Sequence, residues 1–241
     1  MAGQTITIGG HSVNDLFWVS GFHADVPEFS PYTVDLVGGG VASNSMRRGT
    51  ATVTIGLVVL PGRSPRDAIS TLLSWLDVDG PLWLSASDLG DRAMRVVADG
   101  SPVIEDDEYG DVLTLELLQV DPYLYGAQRT LTMTGATTIA VGGDCPTMPI
   151  VSCPEAIRRT NDDLWGLSLD DGATEMYVKV GTPLATSVSI DCEAKAVMVG
   201  TDHSMITLES DWLVLTPGTH TVAFGAGSGT TTITWREMWH R

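Results

Sequence analysis

Apolar residues recur at every second position through four separate stretches of this chain. That period builds strands, not helices, so it sets the main structural element. In residues 50–60, Val53, Ile55, Leu57 and Val59 point one way while Thr52, Thr54 and Gly56 point the other. Residues 111–120 repeat the pattern with Leu113, Leu115 and Leu117. Val188, Ile190 and Cys192 alternate with Ser187, Ser189 and Asp191, and Thr231, Ile233 and Trp235 with Thr230, Thr232 and Thr234. A strand with one apolar and one polar face belongs in an antiparallel sheet wetted on one side.

One segment departs from this period. Ser64-Pro65-Arg66-Asp67 supplies an N-cap hydroxyl, a proline at the first helical position and a carboxylate in the first turn. Ile69, Leu72, Leu73 and Leu76 follow at the spacing of one helix face. Asp79-Gly80-Pro81 ends it, since glycine accepts a left-handed cap and proline cannot continue. The expectation is one short amphipathic helix packed on a sheet.

Turn signals separate the strands at Gly38-Gly39-Gly40, Asp99-Gly100, Gly142-Gly143, Asp171-Gly172, Pro217-Gly218 and residues 225–229. A long strand in the first half runs into Asp121-Pro122-Tyr123. Beyond it come about ten short strand candidates with no helical period, the pattern of a β-sandwich. Two domains are expected, 1–126 and 127–241. The fold class is all-β and mainly antiparallel, with one short α-helix.

Charge narrows the partners. The formal net charge is −17, and a surface this acidic repels nucleic-acid phosphates and anionic lipid heads. Solubility alone would also explain the acidity. No apolar run approaches the roughly 18 residues of a membrane helix. The start MAGQTITIGG has neither a basic region nor an apolar core, so no signal peptide is expected. Three cysteines, Cys145, Cys153 and Cys192, are too few and odd in number for a disulfide framework, which points to a reducing assembly compartment.

The search for chemistry yields no catalytic, cofactor-binding or metal site. His11, His23, His203, His220 and His240 are scattered without HxH or HExxH spacing, and Cys145 and Cys153 have no CxxC partner. Asp77-Val78-Asp79-Gly80 lacks the remaining ligands of a calcium loop. Glu105-Asp106-Asp107-Glu108 reads as a solvated hairpin loop, not a glycosidase pair. Residues 225–229 resemble part of a dinucleotide loop, but a Thr-rich strand follows where a helix N-terminus would be needed. Among the tryptophans, Trp75 falls in the helix, while Trp83, Trp212 and Trp235 fall in strands as core residues. Trp18, Trp165 and Trp239 are free to lie at an interface.

The order of these features resembles the siphophage distal tail protein (Dit) family. Its first domain is similar in residues 63–76, in Gly80-Pro81-Leu82-Trp83-Leu84, and in residues 113–120 leading into Asp121-Pro122-Tyr123-Leu124-Tyr125-Gly126. In the second half, Pro149-Ile150, Ser189-Ile190-Asp191-Cys192, residues 208–218 with their Leu-Thr-Pro-Gly turn, and residues 231–236 follow in the family's order. Two places depart from it. Gly38-Gly39-Gly40 and a Ser/Asn-rich stretch stand where the family often has an Asp-Gly turn, and His220 stands where it tends to have asparagine.

The resemblance implies an N-terminal β-sandwich-like ring domain and a C-terminal galectin-like β-sandwich. It further implies a virion protein of the tail tip, assembled in the host bacterial cytoplasm as a hexameric ring. Its neighbours would be the tail tube protein, the tail-tip hub and a receptor-binding or side-fibre protein, and DNA would pass through the bore without specific binding. No cofactor and no membrane are implied. The rival reading is a carbohydrate-binding module contacting the host surface, although the galectin string H-x-N-P-R is missing. A glycan-cleaving enzyme is weaker still, for want of an acid and nucleophile pair.

Overall fold

The computed structural model describes residues 4–27, 29–35, 41–100, 102–107, 110–181 and 185–241. Contacts divide the chain into two compact units, one of Met1–Tyr125 with His240–Arg241 and one of Gly126–Trp239. The mainly antiparallel, strand-dominated fold with one short α-helix stands as expected.

The first unit holds β1 (Ile6–Ile8), β2 (His11–Ser12), β3 (Phe17–Ala24), β4 (Phe29–Asp35), β5 (Val41–Arg48) and β6 (Ala51–Val59). The helix α1 (Pro65–Leu76) comes next, then β7 (Leu82–Ala86), β8 (Ala93–Ala98), β9 (Val103–Asp107) and β10 (Gly110–Gln119). The alternating runs read from the sequence form its central antiparallel pair. Leu113 lies opposite Leu57, Leu115 opposite Ile55 and Leu117 opposite Val53, and all six side chains are buried. Register and burial share one cause: a one-residue slip would turn every leucine to water. The sheet runs β3-β6-β10-β8-β7-β1-β2, with β9 also on β10.

The helix forms as the capping residues require. The Ser64 hydroxyl accepts the Asp67 N–H at 3.4 Å, and Pro65 occupies the first turn. Its buried residues are Ala68 and Leu72, whereas Leu73 is 42% exposed. The apolar face is therefore rotated from the expected Leu72–Leu73 pair toward Ala68, whose small side chain gives little hydrophobic signal. Trp75 stacks on His11 with ring centroids 4.8 Å apart.

Two loop expectations need correction, and the Ser/Asn-rich stretch forms a strand, Val41–Arg48, paired antiparallel with β4 in a two-stranded sheet of its own. Gly38-Gly39-Gly40 lies outside the described residues. Glu105, Asp106 and Asp107 belong to β9, paired with Val112, Asp111 and Gly110, so three of the four acids sit on a strand and not in a loop. Glu108 lies outside the described residues. Gly225 also belongs to a strand, and the turn there begins at Gly227, whose φ is 71°.

The second unit takes up β11 (Tyr123–Met133) after Tyr125, then β12 (Thr137–Val141), β13 (Ile150–Ile157), β14 (Leu164–Leu169) and β15 (Thr174–Lys179). There follow β16 (Ala185–Asp191), β17 (Ala196–Val199), β18 (Asp202–Ser204), β19 (Gly218–Ala226) and β20 (Thr231–His240). One layer runs β18-β17-β16-β13-β20-β11 and the other β12-β19-β14-β15. A single core joins them. Val151, Cys153, Val188, Ile190, Ile233 and Trp235 come from the first layer; Ile139, Trp165, Leu167, Met176, Val178 and Val222 come from the second. Two sheets sharing their inner faces make a sandwich.

Trp212 does not lie in a strand as expected. Residues 211–214 take no regular structure, and only Leu215 forms a bridge, to Thr147. The run is held instead by single bonds such as Asp211 N–H to the Glu175 carbonyl at 2.9 Å. Its alternation arises because Leu213 and Leu215 are buried as anchors of an irregular segment.

Candidate interaction surfaces

Trp18, Trp165 and Trp239 occupy three different settings. Trp165 is fully buried, donates its indole N–H to the Ser228 carbonyl at 3.2 Å and meets Phe224 edge-on at 6.3 Å. It is core and not interface. Trp239 packs its ring on Gly126, where an added Cβ would come within 2.9 Å of it. Trp18 is 58% exposed on β3. Among the described residues, β3 pairs only with β6, leaving its other edge open. An open edge carrying an exposed aromatic is a surface suited to a partner strand.

The Asp121-Pro122-Tyr123 block forms a clasped corner. Strand β10 stops at Gln119, Val120 donates its N–H to the Arg95 carbonyl at 3.0 Å, and β11 starts at Tyr123. The buried Gln119 side chain donates to the Tyr123 carbonyl at 3.1 Å and accepts from Arg241 at 2.6 Å. Arg241 also reaches the Ala24 carbonyl at 2.6 Å. Asp121 lies 3.7 Å from Arg95. Burial and the Asp121 carboxylate together hold the Tyr125 phenol well above its usual range. This is a structural joint; its charged groups are committed to each other.

In the second unit, His220 connects two turns at one end of the four-stranded layer. Its Nδ1 lies 2.7 Å from Asp170 and its Nε2 2.7 Å from the Thr216 carbonyl. Nothing in the sequence paired residues fifty positions apart. The three cysteines are buried and form no disulfide, and burial pushes the Cys192 thiol up to about 11. A thiol held protonated in a core is a small apolar side chain and not a nucleophile. Among the described residues, no helix is long and apolar enough to cross a membrane. Asp77, Asp79 and Gly80 follow the helix as its stop, and Asp77 donates its N–H to the Leu73 carbonyl at 3.0 Å.

These features describe a protein of surfaces and joints, and comparison with known proteins fits them. Residues 142–239 match the family described as "Siphovirus-type tail component, C-terminal domain". That segment is similar to this family, whose members are siphovirus-type tail components. The resemblance to the siphophage distal tail proteins, Dit, read from the sequence is thereby borne out. In solved structures, the fold is similar to the SPP1 Dit (gp 19.1) protein, described as a paradigm of the hub adsorption apparatus in phages infecting Gram-positive hosts. The TM-score is 0.70 at 18% identity, covering 98% of both chains. Two structures of the phage P2 baseplate in its activated conformation are also similar. The one with Ca gives a TM-score of 0.53 at 9% identity, covering 97% of this chain and 98% of that one. The one with Sr gives 0.54 at 9%, covering 96% and 97%. No curated protein matches the sequence.

Proposed function

We propose that copies of this chain close into a ring, hexameric as in the family it resembles, which joins the phage tail tube to the tail-tip hub. The observation that carries this reading is the end-to-end correspondence of fold with a hub protein, over 98% of both chains. The open edge of β3 supplies a physical means. A head-to-tail contact between unlike patches closes into a ring when its rotation divides the circle, and a neighbour's strand on that edge would satisfy its unpaired backbone groups. The segment proposed to reach the neighbouring subunit or the tube is residues 38–48, which include β5.

On this reading the protein is a scaffold and not an enzyme. The second unit projects outward to hold a receptor-binding or side-fibre protein, and assembly takes place in the host bacterial cytoplasm. The net charge of −17, with residues 105–108 as the candidate lining, repels DNA phosphates so that the genome slides through without sticking. Negative-stain imaging of the concentrated protein, alone and mixed with its neighbouring tail proteins, tests this. Six-fold rings with a central hole are expected; monomers under both conditions would overturn the reading.

A further inference from the structure

The outer face of the four-stranded layer has a feature that scaffolding does not use. Tyr177 on β15 lies flat across two glycines. A Cβ on Gly166, its cross-strand partner, would meet the Tyr177 ring carbon Cδ1 at 2.7 Å, and one on Gly225 of β19 would meet the phenol oxygen at 2.5 Å. The ring therefore spans from β15 across β14 to β19. The next row along the same face is Glu175, Ser168 and Ala223, set opposite one another in register. One aromatic plate thus borders a floor of small side chains.

Charged groups converge on the edge of that plate. Glu175 stands two residues before Tyr177 on the same face of β15, and Arg159 bonds the carbonyl of Gly225, the glycine over which the phenol oxygen lies. Arg159 donates its Nε to both Asp162 oxygens, at 3.0 and 3.1 Å, and its Nη1 to the Gly225 carbonyl at 3.3 Å. The segment that presents them is tied at its base, with Arg159 N–H on the Leu164 carbonyl at 2.8 Å and Asp163 N–H on the Arg159 carbonyl at 3.0 Å. Arg159 and Asp162 nonetheless remain open to solvent, with side chains 45% and 36% exposed. Carboxylates keep lone pairs and a guanidinium keeps N–H donors after such contacts.

We propose that this face binds a neutral saccharide, centred on Tyr177 and bordered by Arg159, Asp162 and Glu175. The apolar C–H face of a pyranose lies on the ring, as aromatic plates bury such surfaces. Its hydroxyls donate to Glu175 and Asp162 and accept from Arg159, and charge-assisted bonds of this kind are the strong ones. Two carboxylates against one guanidinium leave the border acidic, which selects a neutral glycan and rejects phosphate-bearing polymers. The inference is independent of ring assembly.

The test is saturation-transfer NMR and calorimetry on the intact protein, using maltotetraose, cellotetraose, chitotetraose and, as the anionic probe, polyglycerol phosphate. At least one neutral tetrasaccharide should bind. Asp162→Asn and Glu175→Gln, at exposed positions, should each weaken it at least fivefold, and Tyr177→Ala should abolish it. Tyr177→Phe keeps the plate and guards against misfolding; it should retain part of the affinity. Leu73→Ala, in the other unit, should leave binding unchanged. Absence of binding by all three neutral sugars, binding indifferent to these substitutions, or preference for the anionic polymer would each overturn the proposal. Imaging the same preparations for rings scores the assembly reading separately.

Discussion

The His220 imidazole is held between two acceptors, the Asp170 carboxylate on Nδ1 and the Thr216 carbonyl on Nε2, each at 2.7 Å. Only the doubly protonated ring can donate to both. The hydrogen bond that the His220 N–H donates to Asp170 accordingly holds the His220 pKa above its usual value, and the same bond holds Asp170 below its own. Asp170 also accepts the Thr221 N–H at 2.8 Å, so the pair fixes the start of β19 to the turn before β15.

A pH dependence follows with a definite sign. A raised histidine pKa stabilises fully below the unfolded value of about 6.5 and fades as pH rises through the folded value. The depressed carboxylate stabilises above about 3.8 and fades as pH falls through its folded value. The pair is therefore strongest between about pH 4 and 6.5. Thermal melts should show His220→Ala losing several degrees at pH 5 and clearly less at pH 8.5. Equal losses at both pH values would mean the ring acts only by packing.

The helix offers a contrast between neighbouring residues. Leu72 is fully buried and Leu73 is 42% exposed. Leu72→Ala should cost about 2–5 kcal/mol, while Leu73→Ala should stay within about 0.5 kcal/mol, as exposed substitutions do. Ser64→Ala, which removes the cap on the Asp67 N–H, should cost about 1 kcal/mol. Urea unfolding of the three variants resolves the order. A Leu73 effect equal to that of Leu72 would restore the helix face read from spacing alone.

What the sequence disclosed follows from which forces are local. Strand period, the Ser64 cap and the Asp-Pro-Tyr corner depend on neighbours in the chain, so they could be read directly. Leu113 and Leu57 announce their faces by alternation, though not their pairing. The Trp212 segment misled because burying Leu213 and Leu215 imposes a period of two on backbone that never joins a ladder. Glu105–Asp107 misled because acids on an edge strand look like acids in a loop. The His220–Asp170 pair and the Tyr177 plate join residues far apart in sequence, and only folding brings them together. Gly166 gave a partial signal, since a glycine inside a strand marks a close approach.

Trp165 tests how far the second unit depends on one side chain. It is fully buried and its indole N–H is bonded to the Ser228 carbonyl. Trp165→Ala should cost about 3–5 kcal/mol through lost burial and an unfilled cavity. Trp165→Phe should cost less, because it keeps most of the apolar volume and the Ser228 carbonyl still accepts the Ile157 N–H at 2.9 Å. Equilibrium unfolding followed by fluorescence at other tryptophans compares the two. Equal losses would assign the stability to the hydrogen bond and not to packing.

Trp18 bears on assembly without bearing on the core. It projects from β3 with 58% of its surface exposed, while Phe17 and Val19 on either side are buried. Trp18→Lys therefore removes no core contact and should leave the melting temperature within a degree or two of the parent. If β3 is the edge that meets a neighbouring subunit, a lysine there places a charge where strand pairing must exclude water, a device that natural edge strands use against association. Ring formation should then fall at least tenfold in effective concentration, read by light scattering coupled to size exclusion across a dilution series. A variant that unfolds early would show Trp18 to be structural. One that melts normally and still assembles would move the subunit contact to another edge, with β9, whose Val103 is 53% exposed, next in line.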